Sequence, residues 1–188
     1  PDVSRAAQDV VVDADLARPF GRLGVSIRLP DATLTQAQLY GITNAIRLQE
    51  STYKSAGSVH GCALFCVGPA GPDMMLFVED VGRHNAIDTI AGWMWMRQEA
   101  PTLGTAYAAL GGLPEMALSD ADKVFYTTGR LTSEMVIKCA QMGIPFLVSR
   151  SGLTQMGHDI AKKVGMTMIG RATNRHFLLF TGAERFVA

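Results

Sequence analysis

Residues 123–173 read KVFYTTGRLTSEMVIKCAQMGIPFLVSRSGLTQMGHDIAKKVGMTMIGRAT, and this stretch decides the fold. Lys123–Thr127 is a short apolar run rich in aromatic and β-branched residues, which predicts a strand. Over 132–142 the periodicity changes to helical, with Met135, Val136 and Cys139 on one stripe. A second strand over Ile144–Val148, a helix over Gly152–Val164 and a third strand over Met166–Ile169 follow at short intervals. Alternating β and α units with short connections predict a layered α/β/α domain with a partly parallel sheet.

The neighbouring segments extend this plan. Phe177–Thr181 reads as a last strand. Upstream, Val59–Val67 and Met74–Val78 flank the turn Pro69-Ala70-Gly71-Pro72 and predict a hairpin, which makes the sheet mixed. A polar segment, Glu79–Asn85, leads into a helix to about Met96. Thr33-Leu34-Thr35-Gln36 has capping-box spacing, and Leu39, Ile42 and Ile46 continue it as a helix over about 34–50. Leu23–Leu29 alternates as a half-buried strand. Residues 1–18 read as a lead-in and 19–188 as a single α/β domain. Within it, Pro101, Gly104, Gly111, Gly112 and Pro114 mark 98–119 as an irregular insertion.

Composition excludes several classes. With 48% hydrophobic and 18% charged residues, the 188-residue chain can bury a core and is not disordered as a whole. Seventeen cations balance seventeen anions, which argues against a basic wrapper of nucleic-acid polymer. Twelve of the cations are Arg, the side chain suited to bidentate recognition of phosphate or carboxylate. No apolar run approaches the ~20 residues of a membrane span. Three cysteines, Cys62, Cys66 and Cys139, suit a reducing, cytoplasmic setting rather than a disulfide scaffold. Four strand residues span roughly 13 Å, so Cys62 and Cys66 are too far apart to bridge. The chain opens at Pro1 rather than Met, and the expectation is a longer gene product.

One recurrence points to a ligand. Val81-Gly82-Arg83, Thr128-Gly129-Arg130, Val148-Ser149-Arg150 and Ile169-Gly170-Arg171 each place a small residue and an arginine after a predicted strand. Carboxyl ends of strands in an open α/β sheet form ligand crevices. Small residues admit close approach, arginine binds phosphate, and the helix starting near Thr132 adds N–H groups and a positive dipole end. A phosphorylated ligand, a nucleotide or pyrophosphate, fits this set; an acyl or carboxylate ligand would use the same arginines. In Glu79–Asn85, Asp80 is placed to orient His84 or hold a ribose hydroxyl and Asn85 to read a base edge. The plainer alternative is helix capping by Asn85 with both acids in water. His60 heads the cysteine strand, where a satisfied, half-buried histidine is the commoner outcome. His158 belongs to a solvent-facing helix stripe with Lys162, and Cys139 to the core. A zinc deaminase is disfavoured: no Pro-Cys-x-x-Cys occurs, and His60, Cys62 and Cys66 cannot converge along one strand.

Two long motifs, Glu79-Asp80-Val81-Gly82-Arg83-His84-Asn85-Ala86-Ile87-Asp88 and Thr128-Gly129-Arg130-Leu131-Thr132-Ser133-Glu134-Met135-Val136-Ile137-Lys138, resemble the hallmarks of the formate dehydrogenase accessory sulfurtransferase family. Gly57-Ser58-Val59-His60 and Ser149-Arg150-Ser151 with Thr154 fit the same pattern, and the likeness runs from about residue 18 to the end. The resemblance implies a cytidine-deaminase-like fold and a cytoplasmic, dimeric protein. Such a protein passes sulfur from a cysteine desulfurase to the molybdenum or tungsten bis(molybdopterin guanine dinucleotide) cofactor needed by formate dehydrogenase. It also implies a cofactor-binding stretch at Arg171, Ala172, Thr173, Asn174, Arg175 and His176, with GDP as a mimic of the cofactor's end. Added to these are Arg83, His84, Asn85, Asp80, Arg130, Thr132, Ser149, Arg150 and His60. Thr89, Thr132 and Leu153 are small departures from the family pattern. The larger one is that the family's sulfur-accepting Cys-x-x-Cys does not occur in this sequence, so no residue here takes the catalytic role by resemblance. The alternative is a non-catalytic chaperone that holds the cofactor for apo-formate dehydrogenase.

Overall fold

The computed structural model describes residues 29–103 and 123–188. The expected lead-in 1–18, the strand at Leu23–Leu29 apart from Leu29, and residues 104–119 of the expected insertion lie outside the described residues. In chain order the elements are β1 (Leu34–Thr35), α1 (Gln36–Leu48), α2 (Thr52–Ala56), β2 (His60–Gly68), β3 (Gly71–Asp80), α3 (Arg83–Leu103), β4 (Lys123–Thr127), α4 (Ser133–Gln141), β5 (Phe146–Ser149), α5 (Gln155–Val164), β6 (Thr167–Thr173), β7 (His176–Thr181), a 3-10 turn (Ala183–Arg185) and β8 (Phe186–Val187).

The sheet has the order β3-β2-β4-β5-β6-β7. β2 is antiparallel to β3 and to β4, β4, β5 and β6 are parallel, and β7 turns back along β6. So β3, β4, β5 and β6 all end at one edge, where β2 and β7 begin. His60 stands opposite Asp80, and Thr173 opposite His176, at that same edge.

Strand parity divides the core into two layers. Cys62, Leu64, Phe125, Leu147 and Met168 face α3, α4 and α5, meeting Ile87, Ile90, Met135, Cys139 and Ile160. Ala63, Phe65, Val124, Tyr126, Phe146, Val148 and Ile169 face the other way, toward Leu39 and Ile42 of α1. The mixed three-layer α/β/α arrangement expected from the sequence is therefore present.

Local chemistry moves several boundaries. The capping box of α1 is Thr35–Gln38, two residues later than the expected Thr33–Gln36: Gln38 N donates to Thr35 Oγ1 and Thr35 N donates to Gln38 Oε1. Leu34 is taken instead by β1, which pairs in parallel with β8. Helix α3 runs on through Leu103, so residues 98–103 are helical rather than irregular; Pro101 lies within the last turn. α2 is capped by Ser51 and ends at Gly57 in the left-handed region (φ 68).

The turn after β7 depends on Gly182. Its φ is +70, and a Cβ there would sit 2.3 Å from Thr167 Oγ1 and 2.7 Å from Thr167 Cα. Gly182→Ala therefore combines backbone strain with overpacking. The expected loss is at least about 2 kcal/mol in a urea unfolding titration.

Candidate functional site

The edge where β3, β4, β5 and β6 end is laced by hydrogen bonds. Thr128 N donates to Gly61 O (2.9 Å), and Gly61 N donates back to Thr128 Oγ1 (3.0 Å). Thr127 Oγ1 accepts from Gly129 N (3.1 Å) and lies 3.4 Å from Cys62 Sγ. Arg150 N donates to Thr127 O (3.1 Å). Ser149 Oγ donates to Gly129 O (2.6 Å) and accepts from Ser151 N (2.8 Å). Arg171 N donates to Ser151 O (2.8 Å). Ser149, expected to bind the ligand, is fully buried and spends its hydroxyl on this lacing.

Arg130 and Arg150 follow their strands as expected and are exposed. Arg171 differs: β6 continues to Thr173, and Arg171 sits inside it at a register irregularity with φ 52. Left-handed backbone at a non-glycine residue is uncommon, and here it turns an exposed arginine out at the edge. Arg83 begins α3, with two residues, Val81 and Gly82, between it and the end of β3.

On the α1 face the edge opens into a cleft of about 170 Å³. Its walls include the expected Arg150, Ala172, Thr173 and Asn174, joined by Arg47, Tyr53, Lys54, Phe77 and Thr128, which the sequence reading did not select. The Arg150 guanidinium lies over the Tyr53 ring at 5.7 Å. Tyr53 is placed by Glu79, whose two carboxylate oxygens accept from Thr52 N and Tyr53 N, each at 2.7 Å. Glu79 thus caps α2 and is not simply solvated. A cation-rich Arg47…Tyr53-Lys54 run beside a Gly-Ser turn was the available signal, but only the fold brings it against Arg150. Arg175 and His176, also expected here, are exposed and do not line the cleft; Arg175 leans over Tyr40 at 6.0 Å.

On the α3 face a second group gathers. Gly129 faces both His60 and Arg83: a Cβ on it would lie 3.2 Å from Arg83 Cδ and 3.4 Å from His60 Nδ1. His84 Nε2 is 3.0 Å from Glu134 Oε2 in the first turn of α4. Asp80 does not orient His84, as its Oδ1 accepts from Gly82 N (2.7 Å) and from the Asn85 amide (3.0 Å). Asn85 lies within α3 and is not its cap. Burial lowers the His84 pKa below its ordinary 6.5; Glu134 opposes this, while Arg83 and Lys138 add to it. The neutral ring donates from Nε2 to Glu134 and keeps Nδ1 as an acceptor. The expected residues are therefore split between two faces of one edge.

Cys62 and Cys139 lie in the core. Burial pushes the Cys62 thiol up to about 11 and the Cys139 thiol well above 9.0. Among the described residues, no three His, Cys, Asp or Glu side chains are placed to hold a metal ion, and no helix is long and apolar enough to cross a membrane.

A mixed six-stranded sheet with helices packed on both faces, and with polar and cationic residues gathered at one edge, defines a layered α/β domain. The FdhD/NarQ family profile matches residues 19–187, and the chain belongs to that family. It is 28% identical over 156 residues to the sulfur carrier protein FdhD of Halalkalibacterium halodurans, covering 82% of this chain and 49% of that one. It is 26% identical over 161 residues to the sulfur carrier protein FdhD of Saccharolobus solfataricus, covering 86% and 54%. The chain thus spans about half the length of the curated relatives it matches. The crystal structure of a protein assigned as a formate dehydrogenase accessory protein from Desulfotalea psychrophila aligns with a TM-score of 0.64 at 29% identity. That alignment covers 85% of this chain and 59% of that one.

His84 should titrate below 6.5 in an NMR pH series, and Glu134→Gln should lower the midpoint further, because the carboxylate is what opposes the shift. A depressed histidine contributes stability above its unfolded pKa and loses it as pH falls through the folded pKa. That loss should begin near pH 6.5 and be absent in His84→Gln.

Proposed function

We propose that this chain is the cofactor-binding part of a sulfur carrier for formate dehydrogenase. In this reading it binds the molybdenum bis(molybdopterin guanine dinucleotide) cofactor as cargo, in the cytoplasm and as a homodimer. A cysteine desulfurase supplies the sulfur that reaches the cofactor before formate dehydrogenase takes it up. Family membership supports the general role. The α1-face cleft carries the binding assignment: it sets Arg150 over Tyr53 and brings Ala172, Thr173 and Asn174 against them.

The donor set suits a guanine nucleotide end. Tyr53 and Phe77 offer faces to a planar base. Arg47, Lys54 and Arg150 offer charge to phosphate. Asn174 has its backbone carbonyl taken by Thr43 Oγ1 (2.8 Å), which fixes the turn that carries its amide. The cleft is sized for one base or sugar-phosphate unit, so a longer ligand would continue along the open edge past the exposed Arg130 and Arg171.

The chain's buried thiols favour a second reading of its own share of the work. A sulfur-accepting cysteine needs an accessible, electropositive setting. Cys62 and Cys139 have neither exposure nor a lowered pKa. This favours a part that holds and shields the cofactor rather than one that carries persulfide on either residue.

Calorimetric titration with GDP tests the binding assignment. Saturable heat is expected, and Arg150→Ala should weaken it by about 1.5–3 kcal/mol, the range for a hydrogen bond to a charged group. Folded protein without heat at millimolar GDP would remove the nucleotide assignment. Iodoacetamide labelling followed by peptide mass analysis tests the thiols: Cys62 and Cys139 should stay unmodified until denaturant is added.

A further inference from the structure

We propose that the α3 face of the edge is a second ligand site, separate from the α1-face cleft, built for a tetrahedral oxyanion of the phosphate class. It deepens the reading of the edge as a nucleotide site and rests on that reading only for the source of the phosphate. Four buried side-chain atoms among the described residues have no hydrogen-bond partner: His60 Nδ1, Arg83 Nε, His84 Nδ1 and Thr132 Oγ1. Buried polar groups are nearly always bonded, so four such atoms on elements that share one sheet edge point to a missing partner. The topology brings their elements to one edge. His60 heads β2, Arg83 and His84 open α3, and Thr132 caps α4, all at the edge where β3 and β4 end.

Gly129 lies against two of these residues. A Cβ on it would lie 3.2 Å from Arg83 Cδ and 3.4 Å from His60 Nδ1, so only glycine leaves these two side chains uncrowded. Thr132 is the N-cap of α4, yet its hydroxyl makes no capping bond, unlike Thr154 on α5, which accepts from Gly157 N. That hydroxyl is free to point elsewhere, beside the first-turn N–H groups and positive end of a nine-residue helix. Arg83 contributes charge and an Nε donor. Glu134 is engaged by His84 Nε2, which leaves His84 Nδ1 as an acceptor. A hydrogen phosphate group matches this set: its oxygens accept from Arg83 and Thr132, its P–OH donates to His84 Nδ1, and His60 serves in either role. A bare carboxylate has no proton for His84, and a cation is excluded by Arg83.

The test is a titration of the 188-residue chain with orthophosphate, followed by calorimetry and by side-chain ¹H–¹⁵N correlation of the histidines. Saturable movement of the His60 and His84 Nδ1 signals is expected. Gly129→Ala, which crowds Arg83 and His60, and Thr132→Val, which removes no capping bond, should each weaken binding about tenfold or more. Circular dichroism establishes that each variant is folded. A repeat at saturating GDP separates the sources. Displacement makes the oxyanion the phosphate end of the nucleotide; simultaneous binding makes it an independent ligand; both support the site. No saturable shift with folded wild-type protein, or undiminished affinity in both Gly129→Ala and Thr132→Val, overturns it. Phosphate binding without any GDP binding would reject the nucleotide assignment and leave this site standing.

Discussion

The hydrogen bonds that join the ends of β4, β5 and β6 are the constraint on which the rest of this edge depends. Thr127 and Ser149 are both fully buried, and each serves two neighbours at once. Thr127 binds the turn that follows it and, through its carbonyl, the backbone of Arg150. Ser149 binds back to Gly129 and forward to Ser151, which in turn receives Arg171 N. A buried hydroxyl left unpaired is costly, so each of these groups is held once the lacing forms. The three turns then cannot move independently, and the arginines they carry are presented from a fixed frame rather than from loose loops.

That frame stands between two chemically different surfaces. Toward α1 it offers rings and cations: Tyr53 and Phe77 with Arg47, Lys54 and Arg150. Toward α3 it offers buried, unpartnered polar atoms, with His60 and Arg83 close against Gly129. The division follows from sheet geometry, since consecutive strand residues face opposite layers. Thr128 reaches the α1-face cleft, while the next residue, Gly129, borders His60 and Arg83. An elongated phosphorylated ligand lying across this turn would touch both surfaces. Two ligands could instead occupy one each.

The arginine recurrence in the sequence was a sound guide to the edge and a poor guide to the roles of single residues. Arg150 lines the cleft, Arg83 lies against Gly129, and Arg130 and Arg171 stand exposed along the rim. The Glu79–Asn85 segment divides its duties in a way its composition does not announce. Glu79 holds α2, Asp80 holds its own turn and Asn85, and His84 turns to Glu134, fifty residues away. Of the three cysteines, the natural place to look for sulfur chemistry, Cys62 and Cys139 lie in the core with their thiols pushed up by burial, and Cys66 is half-buried on β2.

By itself the sequence determined the order of strands and helices, the mixed sheet and the family. These rest on local periodicity and on motifs that survive without any contact being known. It pointed too to Arg83 and Arg150 at strand carboxyl ends, whereas His60 and Asn174 entered only through the family likeness. It could not place α2 or β1, whose few residues carry little periodicity and are stabilised by partners far along the chain, Glu79 and β8. Nor could it extend α3 past Pro101, since proline reads as a breaker whatever the helix before it. Only the tertiary structure decided that the expected residues form two groups and not one. Which face of a sheet edge a side chain reaches depends on strand parity and on the helix packed behind it, and both are set by contacts between residues distant in sequence.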